Sequence, residues 1–313
     1  MKKLLFVYNP MAGRGALEEK IEAVTEIFAD NGYETDVHAT TEKGDGYRYV
    51  SAYLAAAKKS GRSELLPERI VCAGGDGTLQ EVMRAVTKSG TEIPIGIIPT
   101  GSTNDFGYSL RLPEGIEKQA ECAAQGRVFK CDGLRFFDRD IVYTAAFGLF
   151  SEVSYATPQN LKNRLGHAGY ILYGAKTIFK TKKIHAKVNW DGGAIEDDFL
   201  LGMAVNAKSV GGFRRITGPD VKLNDGKTEM MLVKWPKNPL QLVKIIYEAL
   251  SHRTDGKYFS ILRTGHIDFE FDRNVSWSFD GEYGGKGIKA EINVNERGVS
   301  YIVPFSQKQK RNL

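Results

Sequence analysis

The residues best suited to chemistry sit where apolar runs end. Gly74-Gly75-Asp76-Gly77-Thr78 follows the run Arg69-Ile70-Val71-Cys72-Ala73 and precedes Leu79, Val82, Met83 and Val86 at helical spacing. A buried strand therefore empties into a glycine turn that opens a helix. Such a turn lets main-chain N–H groups approach phosphate oxygens, and a helix N-terminus favours negative charge there. The segment Ile95-Gly96-Ile97-Ile98-Pro99 followed by Thr100-Gly101-Ser102-Thr103-Asn104-Asp105-Phe106 repeats the pattern. Two polar loops at strand ends, each with an aspartate, point to a nucleotide-phosphate site with a divalent ion. A tight turn without any ligand has the same composition, so either loop alone is a weak signal.

Phosphoryl transfer requires phosphates held still, charge neutralised and an acceptor hydroxyl oriented. Backbone around Gly13, Gly74, Gly75 and Gly77 suits the first task, with Asn9, Thr41, Thr78 and Ser102 as side-chain donors beside Pro10. Asp76 and Asp105 are candidates for a Mg²⁺ shell, direct or through water, because hard magnesium prefers oxygen. A competing reading makes Asp105 a helix-start residue. A catalytic carboxylate is sought at another strand end, where Val275, Trp277 and Phe279 alternate into Asp280-Gly281-Glu282. Solvated acids in a plain β-turn are the alternative. The chain has no GxxxxGK[ST] motif, and Gly13-Arg14-Gly15 lacks the third glycine of a dinucleotide fingerprint, which excludes the P-loop and disfavours the Rossmann classes. The histidines show no partnered spacing and carry no assigned chemistry.

The elements that position these residues divide into two patterns. Strand and helix signals alternate over the first 130 residues. Leu4–Tyr8 is an apolar strand, and Leu17, Ile21, Val24 and Phe28 share a helical face. Tyr33–Ala39 follows as a strand and Tyr47–Lys59 as a helix. Alternation implies an α/β domain with a mostly parallel sheet, its loops gathered at the carboxyl ends of strands. From residue 131 to 300 β-like runs dominate: Ile141–Phe147, Ala186–Trp190, Phe199–Asn206, Thr228–Lys234, His266–Phe271, Val275–Phe279, Ile288–Val294 and Val299–Val303. Helical inserts are expected at Leu161–Lys180 and Pro239–His252. This reads as a β-rich, sandwich-like second domain, and a cleft between domains is the default substrate site.

At 313 residues the chain has room for two cores, and no apolar run reaches the ~20 residues a spanning helix needs. Cys72, Cys122 and Cys131 show neither metal spacing nor a disulfide framework, which suits a cytoplasmic protein. The net charge of +5 suits peripheral contact with the anionic inner face of a membrane. Basic clusters at Lys162/Arg164, Lys182-Lys183 and Arg214-Arg215 are candidates for that contact, whereas Lys308–Arg311 reads as a frayed end. No nucleic-acid partner is expected; a homodimer is compatible with the composition.

Asn9-Pro10, Gly13, GGDGT at 74–78 and GSTNDF at 101–106 occur in the order and spacing of the diacylglycerol kinase catalytic family, and the chain resembles that family, including its bacterial lipid kinases and the related sphingosine and ceramide kinases. The likeness extends into the second half. It implies ATP and Mg²⁺ as cofactors, nucleotide contacts at the N-terminal positions named above, and a lipid at a membrane surface as acceptor, with diacylglycerol converted to phosphatidic acid. It also implies that residues 301–313 return to the first domain. The resemblance makes the Asp-Gly-Glu turn the source of the general base, Asp280 first and Glu282 as its partner or substitute. It further implies a structural Mg²⁺ near Asn206, Gly211-Gly212, Pro219 and Asp225-Gly226, with Asp225 and the Lys227 carbonyl as ligands. Lys222 departs from that pattern where a second acid is expected, with Asp220 as a substitute, and Gln80 stands where the family has asparagine. The rival functional classes are an NAD kinase-like enzyme, which shares GGDG, and a non-catalytic nucleotide-binding membrane module.

Overall fold

The computed structural model describes residues 2–15, 17–149, 182–214, 217–218, 221–251 and 256–305. The expected helix 161–180, the basic residues Lys162, Arg164 and Arg215, the positions Pro219 and Asp220, His252 and the tail 308–311 lie outside the described residues. The chain forms two compact units. The first contains residues 1–133, 208–213 and 296–313, and the second 134–207 and 214–295.

In the first unit, β1 (Lys2–Tyr8), β2 (Tyr33–Ala39), β3 (Arg69–Gly74) and β4 (Ile95–Pro99) form a parallel sheet in the order 2-1-3-4. Helices α1 (Ile21–Asp30), α2 (Asp45–Lys59) and α3 (Asp76–Ser89) connect these strands, and α4 (Asp105–Ser109) and α5 (Ile116–Gln125) follow. Leu4 and Phe6 point to one face and pack with Val71, Ala73 and Ile98 against Leu17, Val24, Phe28 and the alanines of α5. Leu5, Val7, Ile70 and Cys72, on the alternate positions, are equally buried, as a sheet covered on both faces requires. A Cβ on Gly96 would meet the Ala123 Cβ at 2.8 Å, so glycine lets α5 lie close on β4. The α/β character expected from the sequence is present.

The second unit is β-rich. After β5 (Arg127–Phe136), most of which belongs to the first unit, come β6 (Arg139–Ile141), β7 (Thr144–Gly148), β8 (Ile184–Trp190) and β9 (Gly193–Val205), then the short β10 (Ser209–Val210), which belongs to the first unit, and β11 (Phe213–Arg214). The order continues with β12 (Thr228–Lys234), α6 (Pro239–Leu250), β13 (Phe259–Thr264), β14 (His266–Phe279) and β15 (Glu282–Val303). β9 and β14 each pair with both β7 and β8, so four antiparallel strands close a small barrel. The expected strands His266–Phe271 and Val275–Phe279 are one element whose register shifts between Glu270 and Val275; its first part pairs with β8 and its second with β7. Such an irregularity bends a strand between two sheet directions. Trp277, only 1% exposed, is ringed by Phe136, Phe147, Phe269 and Phe271, with ring centroids 4.9 to 6.2 Å away.

The expected strand Ile141–Phe147 is split at Val142-Tyr143, for a reason that belongs to the site. β15 contributes to both units: its start pairs with β14, and Tyr301 near its end pairs in parallel with Ile95. Lys208–Phe213 is a second excursion into the first unit, one with no counterpart in the sequence pattern.

Candidate active site

Three loops of the first unit meet at the carboxyl ends of β1, β3 and β4. The Asn9 N–H donates to the Ala73 carbonyl at 2.9 Å, and the Thr100 N–H to the Gly74 carbonyl at 2.9 Å. A Cβ on Gly13 would meet the Thr100 carbonyl oxygen at 2.7 Å, and one on Gly101 would meet the Gly75 Cα at 2.6 Å. The backbones of Gly13, Gly75 and the 100–101 segment therefore approach closely, and glycine is required at Gly13 and Gly101, whereas a Cβ on Gly75 would meet nothing nearer than the Gly101 Cα at 3.5 Å. Gly74 is required locally, since its Cβ would lie 2.6 Å from the Thr78 Cβ. Gly77 differs: it is exposed, and an added Cβ would find nothing within 4 Å. It is the one glycine of GGDGT whose surroundings leave open space at the N-terminus of α3. That terminus presents its first N–H groups and the positive end of the helix dipole.

The side chains around this cradle are polar. The Thr103 hydroxyl donates to Asp76 Oδ2 at 3.2 Å and ties the two aspartate loops together. Ser102 and Thr103 are exposed, and Thr78 is buried beneath Gly74. Asn9 turns its Oδ1 onto the Met11 N–H at 2.9 Å, which shapes the 9–13 loop, while Pro10 is half-buried beside it. Thr41 donates its N–H and hydroxyl to Asp45 Oδ2, at 2.9 and 3.2 Å, and the Thr41 hydrogen bond is the largest influence holding the Asp45 carboxyl below its ordinary range. Its hydroxyl thus serves the start of α2 in this structure. Gln80 is buried, and Glu81 takes the Gly44 N–H at 2.7 Å.

Asp105 occupies a different environment from the one the sequence suggests. It is 1% exposed. Its Oδ1 accepts from the Ser209 hydroxyl at 2.5 Å and the Gly212 N–H at 3.0 Å, and its Oδ2 accepts from the Gly211 N–H at 2.6 Å. It caps no helix either, since Asn104 in the left-handed region (φ 52°) holds the N-cap position of α4. Asp105 is the anchor on which Lys208–Phe213 docks, and the Ser109 hydroxyl adds a 2.9 Å bond from the Lys208 N–H. Ser209, Gly211 and Gly212 are missed by local sequence reasoning as Asp105's partners. The sequence signal was the Gly211-Gly212 pair, which the family resemblance had attached to a metal site.

In the second unit Asp280 is 9% exposed, with φ 50°. Its Oδ1 accepts the N–H groups of Tyr143 and Thr144, and its Oδ2 that of Val142, all at 3.0 Å, while its own N–H donates to the Thr144 carbonyl at 2.9 Å. This clasp breaks the strand expected over 141–147, because three consecutive N–H groups turn to one carboxylate rather than to a neighbouring strand. Glu282, two residues on, is half-buried at the start of β15, beside the exposed Tyr283.

At the second suggested metal position, one Asp225 oxygen pairs with Arg263, and the other, Oδ1, is buried without a hydrogen-bond partner. Glu229 lies 3.6 Å from Arg263, and its Oε2 is likewise orphaned. Burial pushes the Glu229 carboxyl up to about 7, against the pull of Arg263. Two orphaned oxygens at the Asp225-Gly226 turn (Gly226 φ 71°) and on Glu229 suit a cation, and Lys222 is exposed. Among the described residues no group of three or more His, Cys, Asp or Glu side chains is placed to hold a metal.

Residues 3–136 match the diacylglycerol kinase catalytic domain. Over 99% of its length the chain is 30% identical to a diacylglycerol kinase of Bacillus subtilis (strain 168), and it covers 99% of that protein. The chain belongs to the diacylglycerol kinase family. A diacylglycerol kinase of Staphylococcus aureus (strain NCTC 8325 / PS 47) is 28% identical across 97% of this diacylglycerol kinase family member and 93% of the relative. The crystal structure of a diacylglycerol kinase from Bacillus anthracis str. Sterne superimposes with a TM-score of 0.74 at 20% identity, covering 96% and 97% of the two chains, and so shares the fold. Membership in the diacylglycerol kinase family implies ATP as phosphoryl donor. No helix among the described residues is long and apolar enough to cross a membrane.

Proposed function

We propose that this protein transfers the γ-phosphoryl group of ATP to a lipid hydroxyl, with diacylglycerol as acceptor and phosphatidic acid as product, working in the cytoplasm at the inner membrane face. The observation that carries this reading is the glycine cradle. Gly13, Gly75 and Gly101 bring three backbones into contact, and the open side of Gly77 lies at a helix N-terminus. Phosphate oxygens would be held there by main-chain N–H groups, with Asn9, Pro10, Thr78 and Ser102 bordering the loops. Thr41 joins the nucleotide side only by releasing Asp45.

Mg²⁺, when bound, would supply positive charge that offsets the negative charge building up in transfer. Asp76 suits its shell, through water, because its position at the mouth of the cradle is fixed by Thr103. Asp105 is left out of that shell, since both its oxygens are engaged by Ser209, Gly211 and Gly212. Asp225, with the Lys227 carbonyl next to its turn, would hold a second, structural ion.

For the proton of the acceptor hydroxyl, we assign Glu282 as the base and Asp280 as the residue that fixes the turn. A base must be able to meet the substrate hydroxyl. Asp280 is buried, with both carboxylate oxygens taken by three N–H groups, whereas Glu282 is half-buried at the start of β15.

The test is a transfer assay with γ-labelled ATP and Mg²⁺ against dioctanoylglycerol, sphingosine, ceramide and NAD. Label should pass chiefly to dioctanoylglycerol, and Glu282→Gln should lower kcat by about 10²-fold with ATP affinity retained. Label on NAD alone would overturn the lipid assignment. Wild-type turnover by Glu282→Gln would overturn the choice of base.

A further inference from the structure

The exposed side of α6 is an apolar stripe with a cationic border. Leu240, Val243 and Tyr247 are 82%, 63% and 60% exposed and follow one another at i, i+3 and i+7, so they line one face of the helix. The opposite face, with Leu242, Ile245 and Glu248, is buried. The Asn238 side chain caps the helix by accepting the Gln241 N–H at 2.9 Å, and Pro239 occupies its first turn, so the stripe is held on an ordered element. A surface helix ordinarily turns charged residues to water. Here Lys244 is exposed on the helix beside the stripe, the exposed Lys237 immediately precedes its N-cap, and the one acid of the helix, Glu248, faces inward. Lys244 lies 3.7 Å from the Glu248 carboxylate with its side chain 59% exposed, and its ammonium sits 5.7 Å from the Tyr258 ring centroid.

We infer that this face of α6 docks on an anionic lipid surface, with Leu240, Val243 and Tyr247 entering the headgroup boundary and Lys237 and Lys244 meeting lipid phosphates. The inference rests on the proposed lipid acceptor, which the enzyme must reach in a membrane. The charge pattern selects the occupant. A helix with aliphatic and tyrosine side chains outward, lysines at the border and no outward acid matches an interfacial helix. A second copy docked by the same face about a two-fold axis would set lysine against lysine. Three side chains also fall far short of the roughly 20–30 residues a side of a stable protein interface.

The experiment uses the full chain and extruded vesicles of phosphatidylglycerol and phosphatidylcholine, or of phosphatidylcholine alone, read by cosedimentation. Wild type should bind the anionic vesicles and release as salt rises. Leu240→Gln with Val243→Gln should weaken that binding about tenfold or more, because two partly buried aliphatic side chains are lost from the lipid phase. Lys244→Gln should weaken binding to anionic vesicles only. Phosphorylation of dispersed dioctanoylglycerol should be unchanged in these variants, a readout that also verifies folding. Leu240→Trp, which cannot open a cavity at so exposed a position, should strengthen binding.

Wild-type affinity for vesicles in the double variant overturns the inference, as does failure of the wild type to bind. So does a change from dimer to monomer in the double variant with vesicle binding intact, which would make the face an interface between copies. Absence of lipid phosphorylation by wild type, with vesicle binding lost in the double variant as described, would instead overturn the proposed acceptor and leave the docking face standing.

Discussion

Replacing Gly101 by alanine tests the cradle at its tightest point. Its Cβ would stand 2.6 Å from the Gly75 Cα and 3.0 Å from Asn104 Oδ1. Carbon atoms rest at about 3.5–4.0 Å, so the two loops must part by roughly 1 Å. The atom that is struck is backbone, so no side chain can swing aside. Overpacking of this kind costs about 1–3 kcal/mol of stability, and a 1 Å displacement of a positioning element costs about 10²-fold in rate. Gly101→Ala should therefore lower kcat/KM for dioctanoylglycerol phosphorylation about a hundredfold and weaken ATP binding measured by calorimetry. Gly77→Ala is the complementary change. Nothing stands within 4 Å of its new Cβ, and it lies inside α3, where alanine exceeds glycine by about 0.5–1 kcal/mol in helix stability. Its Tm should hold or rise while ATP affinity falls, because the added methyl enters the space assigned to phosphate. The reasoning is refuted if Gly101→Ala keeps wild-type kcat/KM and ATP affinity, or if Gly77→Ala binds ATP as wild type does.

Asp280→Asn should destabilise the second unit by roughly 1–3 kcal/mol in urea unfolding, because an amide NH₂ must face one of three N–H donors; Glu282→Gln should leave stability within about 0.5 kcal/mol. Equal stabilities for the two variants would count against the clasp. Glu229 makes stability depend on pH. Its folded carboxyl titrates near 7 against an ordinary 4.5, so between those values the folded state binds more protons than the unfolded one, and stability falls as pH rises through that window by roughly 3 kcal/mol. With chelator present, Glu229→Gln should flatten the difference between unfolding free energies at pH 5 and pH 8; an unaltered difference in the variant would refute the assignment.

Local pattern was enough for elements with sharp borders. Tyr33–Ala39 begins after Gly32 (φ 80°) and Thr228–Lys234 follows the Asp225-Gly226 turn, and both strands occupy the residues their sequence predicts. The glycine motifs also mark the loops that meet at the strand ends. Partnership across the chain was not legible. Asp105 accepts from residues more than a hundred positions later, and Asp280 accepts from N–H groups more than a hundred positions earlier. Apart from the Ser209 hydroxyl on Asp105, the donors are backbone N–H groups that carry no residue code, so these dockings were not readable from side-chain types. The same blindness joined Val142 and Tyr143 to a strand, since their apolar character is unchanged when their N–H groups turn to a carboxylate. At His266–Phe279 the sequence pattern splits what is one strand: the polar Asp272-Arg273-Asn274 between two apolar runs lies within a register shift that carries the strand onward.

The strand shared by both units has a consequence for synthesis. Tyr301 pairs with Ile95 and rests 4.9 Å, ring to ring, from Phe106, and a Cβ on Gly126 would strike both Ile302 and Val303. The first unit is thus completed by a segment that leaves the ribosome roughly 200 residues after Phe106, a delay of about 10–40 s at ordinary elongation rates. During that interval β4 has an unpaired edge, the kind of row of N–H and C=O groups that recruits foreign strands. That edge stays open until the residues around Tyr301 are made. A stop codon just upstream of residue 296 would leave a complete set of glycine loops on a sheet that has no partner for its outer strand.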